Sequence, residues 1–333
     1  MKMKNIFLVL LIVVILSSCA KPNEPVGTNG ILAIEKEFIT GGYARDFAVS
    51  DEILFIAEDQ QGFSIYNHIS GTQLCHRDTF QNRYLENTTR IAGSRYENLA
   101  FIFDTDGTDT IIPFDVSDLQ NPIPILPAIS GRTENIEQLF LKDNPAGGVD
   151  LYWTSNNNFK TGNFDDHWEA GDYYIFPKDV SGFDFNDEIY AVTAQQYGVY
   201  ILEESGGAVM TLVSSIETSG EALDVKIVDN YIIVAIREGG FTIYDISDPA
   251  APVHVYTKNT SELIYTVDAE NEYLVLSSHA GGVILYDISE IAEPKLLDSI
   301  DDSEIGYTFK AEIHYGQIFA STRTGVYIIS INE

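Results

Sequence analysis

Residues 231–255 read YIIVAIREGGFTIYDISDPAAPVHV, and residues 273–297 read YLVLSSHAGGVILYDISEIAEPKLL. The two stretches are near copies at an offset of 42 residues. Each holds two apolar runs rich in β-branched and aromatic residues, joined by a turn that ends in Gly-Gly. Pro249 follows the second run, and proline cannot donate a hydrogen bond to a strand ladder. The pattern predicts two buried strands, a turn and an outer strand.

Weaker copies of this unit occur along the rest of the chain. They cover 54–70, 99–122, 189–205 and 318–333, with a degenerate copy near 135–180. We place the repeat starts near Tyr43, Thr88, Asn135, Ser181, Glu221, Leu263 and Ile305. A period of about 40–45 residues with four short strands per repeat, here called a, b, c and d, is typical of propeller blades. The repeats predict an all-β, seven-bladed propeller over 31–333; six or eight blades remain alternatives because the third copy is poorly defined.

The two ends of the chain complement each other. The last repeat stops after its strand c, and the stretch ILAIEKEFI at 31–39 precedes the first repeat. This extra strand can supply the missing strand d of the last blade, which removes exposed sheet edges. We therefore expect a ring closed by an N-terminal strand.

The unit GGFTIYDISDPAAPVHV, echoed by GGVILYDISEIAEPKLL, resembles the LVIVD repeat of bacterial and archaeal surface proteins. The resemblance is specific over about 221–300 and weaker over the other blades. It implies a β-propeller on an envelope protein or lipoprotein, and it implies no catalytic residue.

Residues 1–18 predict a secretory signal peptide. Two lysines precede eleven unbroken apolar residues at 6–16, which is too short a run for a membrane-spanning helix. Leu16-Ser17-Ser18-Cys19 resembles the bacterial lipobox, which implies cleavage before Cys19, a diacylglycerol on its sulfur and an acyl chain such as palmitate on its new amino group. An ordinary signal peptide is the alternative. Residues 19–30 would form a lipidated tether, and we expect an envelope location on the outer rather than the inner membrane, facing the periplasm or the cell surface.

The charge of the chain excludes a nucleic-acid partner. Lys plus Arg is 19 and Asp plus Glu is 50, a net charge of −31, so the basic surface that phosphates require is missing. Two cysteines exclude a multi-bridge disulfide scaffold. No paired-histidine zinc motif, G-x-S-x-G elbow or glycine-rich phosphate loop occurs in the sequence.

The turns between strands b and c lose the repeat pattern, and in a propeller they surround the mouth of the central channel. Variable loops on a rigid scaffold commonly carry function. Their polar side chains are candidate ligand contacts, and a solvated rim is the alternative. The candidates are Glu58, Gln195, Arg237, His279 and Arg323.

The b–c turn of the second repeat reads Asp104-Thr105-Asp106-Gly107-Thr108-Asp109. Alternating carboxylates around a glycine can converge on a hard cation, so Asp104, Asp106 and Asp109 are candidate calcium ligands. An Asp-Gly hairpin turn explains the same letters. We therefore expect no cofactor, with calcium as the alternative.

The third repeat departs from the pattern after residue 155, and no clean strand c is recognisable in NNNFKTGNFDDHWEAGDYYIF. We interpret 156–176 as an insertion over the channel mouth. Aromatic faces beside carboxylates suit a sugar or a protein hot spot, and packing on the blade edge is the alternative. The candidate contacts are Trp153, Phe159, Phe164, Asp165, His167 and Trp168.

Together these patterns predict an envelope lipoprotein and favour a binder over an enzyme. It would bind an unknown protein or glycan without catalysis and reach the membrane only through its lipid. A propeller hydrolase or lyase with a channel-mouth site, using calcium or no metal, is the alternative from another class. A scaffold without a small-molecule site is the third hypothesis.

Overall fold

Seven four-stranded antiparallel sheets form the part of the chain that the structure, a computed structural model, describes: residues 30–105, 110–129, 135–165, 167–206 and 208–332. Blade 1 comprises β2 (Asp46–Ser50), β3 (Ile53–Ala57), β4 (Phe63–Asn67) and β5 (Thr72–Arg77). A short hairpin of β6 (Thr79–Phe80) and β7 (Arg83–Tyr84) follows it. Blade 2 comprises β8 (Thr88–Ser94), β9 (Leu99–Asp104), β10 (Thr110–Asp115) and β11 (Ile123–Pro124). Blade 3 comprises β12 (Ile136–Asp143), β13 (Val149–Ser155), β14 (Asn158–Phe164) and β15 (Trp168–Ile175).

The remaining four blades follow the same order. Blade 4 comprises β16 (Phe183–Phe185), β17 (Tyr190–Thr193), β18 (Val199–Glu203) and β19 (Thr211–Ile216). Blade 5 comprises β20 (Ala222–Val228), β21 (Tyr231–Ile236), β22 (Gly240–Asp245) and β23 (Val253–Lys258). Blade 6 comprises β24 (Thr266–Glu270), β25 (Tyr273–Ser278), β26 (Gly282–Asp287) and β27 (Lys295–Ile300). After the one-turn helix α1 (Asp302–Ile305), blade 7 comprises β28 (Thr308–His314), β29 (Gln317–Thr322) and β30 (Gly325–Ile331), joined by β1 (Leu32–Ile39).

Burial explains why strands b and c are continuous apolar runs. In β21 every residue after Tyr231 is buried, and in β26 every residue before Asp287 is buried. A blade packs both of its faces against neighbouring blades, so its middle strands meet apolar surface on both sides. The outer strand β23 is largely exposed, which matches its mixed polar sequence.

The core is divided into seven clusters within the described residues, and each cluster fills the gap between two neighbouring blades. One of them joins Phe47 of blade 1 to Phe319 of blade 7. The strands a of neighbouring blades also contact one another around the axis, including β28 with β2. The predicted all-β, seven-bladed propeller is thus confirmed.

The strand β1 runs antiparallel to β30, from the pair Leu32–Ile331 to the pair Ile39–Gly325. Leu32 and Phe38 are buried at this seam. The carboxylate of Asp298 on β27 accepts hydrogen bonds from the backbone amides of Ile31 and Leu32, at 2.9 and 3.0 Å.

An inter-blade belt of side chains on the strands a links successive blades near the axis. Each carboxylate or amide oxygen accepts a hydrogen bond from a strand-a amide of the next blade. The pairs are Asp46 with Ile91 (3.1 Å), Gln138 with Phe183 (2.6 Å), Asp184 with Ile227 (2.8 Å), Asp224 with Val267 (3.0 Å) and Asp268 with Ile313 (2.8 Å). At the gap between blades 7 and 1, Lys310 donates to Asp46 Oδ1 and to the Phe47 carbonyl. Polar groups near the axis are thereby satisfied across the blade boundaries.

A repeated element, Asp-Ile-Ser in blades 5 and 6 and Asp-Val-Ser in blade 2, forms the turns between strands c and d. The side chains of Asp115, Asp245 and Asp287 each accept a hydrogen bond from the backbone amide of the serine two residues on, at 2.7 to 2.8 Å. This local side-chain to backbone hydrogen bond, the Asx turn, explains why aspartate is common in turns. It stabilises the ionised form, so the pKa values of Asp245 and Asp287 lie below the usual range.

The prediction that blade 3 lacks a strand c is wrong. Residues 158–164 form the regular strand β14, and residues 168–175 form strand d. The aromatic residues of this segment suggest a binding loop, but Phe159 and Phe164 pack against the neighbouring blades. A Cβ atom on Gly162 would meet the Trp168 ring at 1.8 Å, so the glycine leaves room for an indole that lies across the strand. Only residues 156 and 157 lie between strands b and c, so the described part of this segment forms no insertion over the channel mouth.

The predicted signal peptide, Cys19 and all of the tether except Gly30 lie outside the described residues. Among the helices of the described part, none has the length and apolar character needed to cross a membrane.

Candidate functional site

The b–c turns converge on one end of the central channel. Four of the five candidates on these turns, Gln195, Arg237, His279 and Arg323, line a cavity of about 610 Å³ that extends along the axis. The segments that lead into the strands a add rings to the same cavity, among them Tyr43, Tyr265 and Tyr307. We call this end of the cavity the mouth. Its size lies within the range of small-molecule sites.

A stack of rings forms one side of the mouth. The imidazole of His279 lies between the rings of Tyr265 and Tyr307, with centroid distances of 3.3 and 4.3 Å. The hydroxyl of Tyr307 also hydrogen-bonds to His279 Nδ1. Arginines cover the outer faces, with Arg323 4.1 Å from the Tyr307 centroid and Arg237 6.0 Å from that of Tyr265. The stack holds the planar groups in fixed positions.

His279 is held neutral. Its burial, together with the positive charges of Arg237, Arg323 and Arg45, lowers its pKa to about 4. The imidazole therefore carries no charge at neutral pH, and the positive charge of the mouth resides on the three guanidinium groups.

The three arginines differ in their partners. Arg237 Nη1 donates to Glu221 Oε2 at 2.8 Å, whereas its Nε is buried without a hydrogen-bond partner in the described structure. Arg45 lies over the ring of Phe309 at 4.9 Å, and Arg323 also contacts Tyr43. Within the described residues, no carboxylate lies within 4.0 Å of the guanidinium of Arg45 or of Arg323. Asp59 interacts with Arg45 only from a longer distance.

Deeper in the channel the charges are paired. Lys226 lies 2.9 Å from Asp268 and 3.8 Å from Asp184, and Lys310 lies 2.9 Å from Glu312. Burial disfavours the lysine cations, but the carboxylates more than compensate and raise the pKa of both lysines. These carboxylates bind lysines and backbone amides of the fold. No group of three or more His, Cys, Asp or Glu side chains suited to a metal ion occurs in the described part of the chain.

The fifth candidate on the b–c turns lies apart from the mouth. Glu58 is buried, and its Oε2 accepts a hydrogen bond from the Gly41 amide at 3.3 Å. Burial raises its pKa, against the opposing effects of Ser64 and His76. Its surroundings belong to the packing of blade 1.

Of the three candidate calcium ligands, Asp106 and Asp109 lie outside the described residues. Asp104 is fully buried at the end of β9, and its Oδ2 accepts hydrogen bonds from the Asn87 amide and from Thr88 Oγ1. That carboxylate thus stabilises the junction of strands a and b, and calcium binding stays a prediction.

The candidates of blade 3 do not lie at the mouth. Trp153, Phe159 and Phe164 are buried in the clusters on either side of the blade, and Trp168 is half-buried with its ring 5.5 Å from that of Trp153. Asp165 and His167 are exposed on the c–d turn, which lies on the opposite face of the propeller. The placement of a shared site for these residues and the b–c turns is therefore corrected: only the turns lie at the mouth.

Sequence reasoning missed the residues that complete the mouth, Tyr43, Arg45, Tyr265, Tyr307 and Phe309. A signal was available. Tyr43, Tyr265 and Tyr307 occupy similar places just before the strands a of their repeats, so an alignment of the repeats would have placed all three tyrosines on the same end of the channel.

Comparison with known proteins agrees with this architecture. Residues 219–260 match the model of the LVIVD repeat family. No curated protein matches the chain.

Solved structures share the fold at low sequence identity. The structure of U3-55K has a TM-score of 0.70 at 14% identity and covers 93% of this chain and 100% of its own. The WD40 repeats of RRP9 give 0.72 at 13%, covering 92% and 99%. The computationally designed Ika8 protein gives 0.63 at 13%, covering 90% and 95%. At these identities the likeness is one of fold.

Proposed function

We propose that this chain is a non-catalytic binding propeller of the bacterial cell envelope that takes a protein or glycan group at the mouth. The observation that carries the proposal is the convergence of four b–c side chains and several strand-a rings on one channel cavity. Concave cavities lined by rings and a few fixed polar groups are typical binding sites. The WD40-like architecture of the structural neighbours is consistent with a binding role.

Anchoring belongs to the same proposal. A lipid on Cys19 would hold the propeller at the membrane, and 19–30 would serve as the tether. The lipobox resemblance and the short apolar run before it support this assignment. We place the protein on the outer rather than the inner membrane.

A two-step binding experiment tests the role of the mouth. The soluble chain starting at Ala20 is screened against a glycan array and an envelope-protein extract, and a retained ligand is then added during hydrogen exchange. We expect protection of the b–c turns at 237–239, 279–281 and 323–324, because their side chains line the cavity.

Two matched variants serve as controls in this experiment. His279→Ala should weaken retention of the ligand because it opens the stack, whereas Ser289→Ala, on a c–d turn, should leave retention unchanged. Thermal melts verify that both variants fold. Protection confined to the c–d turns, or equal retention by both variants, would contradict the proposal.

A further inference from the structure

Positive charge is concentrated at the mouth of a strongly acidic protein. The chain has a net charge of −31 and only eight arginines, yet Arg45, Arg237 and Arg323 all act on His279 at one end of the channel. Like charges repel when they are brought together, and a bound anion relieves that repulsion. The arrangement therefore favours an anionic ligand at this point, although most of the protein surface would repel one.

The arginines also offer unused hydrogen-bond donors. Arg45 and Arg323 have ring contacts but no carboxylate within 4.0 Å among the described residues. A guanidinium presents its donors in a planar fork that matches a carboxylate or a phosphate. Stacking on the rings fixes the orientation of that fork before a ligand arrives.

The other groups at the mouth indicate what else the ligand carries. Tyr43 is 47% exposed, so its ring is accessible to an apolar face. The amide of Gln195 can hydrogen-bond to ligand hydroxyls, and the hydroxyl oxygen of Tyr307, which already bonds to His279, has a further lone pair that can accept from one. A rigid ring with hydroxyl groups, C–H faces and a carboxylate uses all of these features, whereas a bare phosphate uses only the arginines.

We propose that the mouth binds a carboxylate-bearing sugar, with Arg45 and Arg323 contacting the carboxylate and the tyrosine rings contacting the sugar face. This inference rests on the proposed function and specifies its ligand. An acidic sugar could reach the mouth as a free molecule or as the end of a glycan, and the carboxylate and ring chemistry is the same in both cases.

Calorimetric titration of the soluble chain with glucuronate, and with glucose as its neutral counterpart, tests the proposal. The two sugars differ only at the carboxylate, so we expect glucuronate to bind at least about tenfold more tightly, as for the gain of roughly one charge-assisted contact. Raising the salt concentration should weaken glucuronate binding. A disaccharide ending in glucuronate serves as the glycan arm: tighter binding than the monosaccharide indicates a glycan end as the source, and equal binding indicates the free sugar.

Three glutamine variants, all checked by thermal melting, locate the contact. Arg45→Gln and Arg323→Gln should each weaken glucuronate binding about tenfold. Arg95→Gln removes the same charge on the far side of blade 2 and should have no effect. Equal affinity for glucose, equal loss in Arg95→Gln, or displacement by inorganic phosphate at the same concentration as glucuronate would overturn the proposal.

The outcomes also separate this inference from the proposed function. If glucuronate fails to bind at millimolar concentration while a ligand from the screen still protects the b–c turns, the sugar assignment is wrong and the binding role stands. If none of the ligands retained in the screen protects the b–c turns from hydrogen exchange, the binding role is contradicted as well.

Discussion

At the scale of single residues, burial decides how the protein shifts the pKa of an aspartate. Asp245 is exposed and bonds within its own turn, so its ionised form is stabilised. Asp224 belongs to the inter-blade belt and accepts amides from both Val225 and Val267. Burial, reinforced by the charges of Asp184 and Asp268, nevertheless raises its pKa to about 7. The belt therefore contains a carboxyl group that titrates near neutrality.

This shift predicts a pH dependence of stability. The ordinary pKa of aspartate in an unfolded chain is about 3.9, so the folded state binds the proton of Asp224 more tightly than the unfolded state does. The stabilisation is complete below about pH 4 and is lost as the pH rises through about 7. Relative to the wild type, Asp224→Asn should gain stability between pH 5 and pH 8, by at most about 3 kcal/mol, because about two pH units of this window lie below the folded pKa and each is worth about 1.4 kcal/mol.

Urea denaturation of both proteins at the two pH values measures this gain. The substitution also changes the free energy of unfolding by a pH-independent amount, because the asparagine amide replaces a carboxyl group. Taking the difference between pH 5 and pH 8 cancels that amount. Asp248→Asn, on an exposed c–d turn, is the matched control and should give no such difference. An identical effect of Asp224→Asn at both pH values would contradict the assignment.

At the scale of strands and turns, the sequence repeat predicts most of the structure. The prediction fails where a residue is chosen by tertiary packing and not by the repeat. The period and the turn letters are sufficient for the blades and for the c–d turns. Strand c of blade 3 could not be recognised from the sequence, because Gly162 and Trp168 interrupt the apolar pattern. Their role is clear only in the structure, where the indole lies on the glycine. The belt acceptors Asp184, Asp224 and Asp268 recur at spacings of 40 and 44 residues, but an isolated aspartate in a strand also reads as a surface residue.

The strand β1 should contribute strongly to stability, because it pairs along β30 and buries Leu32 and Phe38. A fragment that begins at Thr40 exposes the edge of β30 and loses both of these side chains. Compared with a fragment that begins at Gly30, it should lose at least about 4 kcal/mol, at about 2 kcal/mol per buried side chain. An exposed edge also invites aggregation.

Calorimetry of the two fragments checks this expectation, since they differ only by the strand and its first neighbours. The shorter fragment should melt at a clearly lower temperature and sediment as larger species. Equal melting temperatures would show that the ring holds without the strand.

At the scale of the whole molecule, the mouth depends on neighbours that are distant in sequence. Tyr265 and His279 belong to blade 6, whereas Tyr307 and Arg323 belong to blade 7 and Arg45 to blade 1. A list of b–c turns therefore predicts which end of the channel is variable, but not which side chains meet there. The charge of the whole chain likewise conceals a positively charged mouth.

The proposed attachment to the membrane also concerns the whole molecule. The acidic body offers little attraction to anionic headgroups, so the lipid should be the only anchor. In membrane fractionation, the wild type and the matched variant Cys75→Ser should sediment with membranes, and Cys19→Ser should move to the soluble fraction. Sedimentation of Cys19→Ser with membranes would show that another contact holds the protein.

The direction of β1 decides which way such an anchored propeller would point. The chain enters at Leu32, beside Ile331, and reaches the b–c face only at Ile39, beside Gly325. A lipid at Cys19 would thus be tied to the face opposite the mouth, and the eleven residues between Cys19 and Ile31 span at most about 40 Å. With such an anchor, the face opposite the mouth would lie toward the bilayer and the mouth would face away from it. The mouth would then be accessible to solutes and to the ends of long polymers, but not to the lipids of the same membrane.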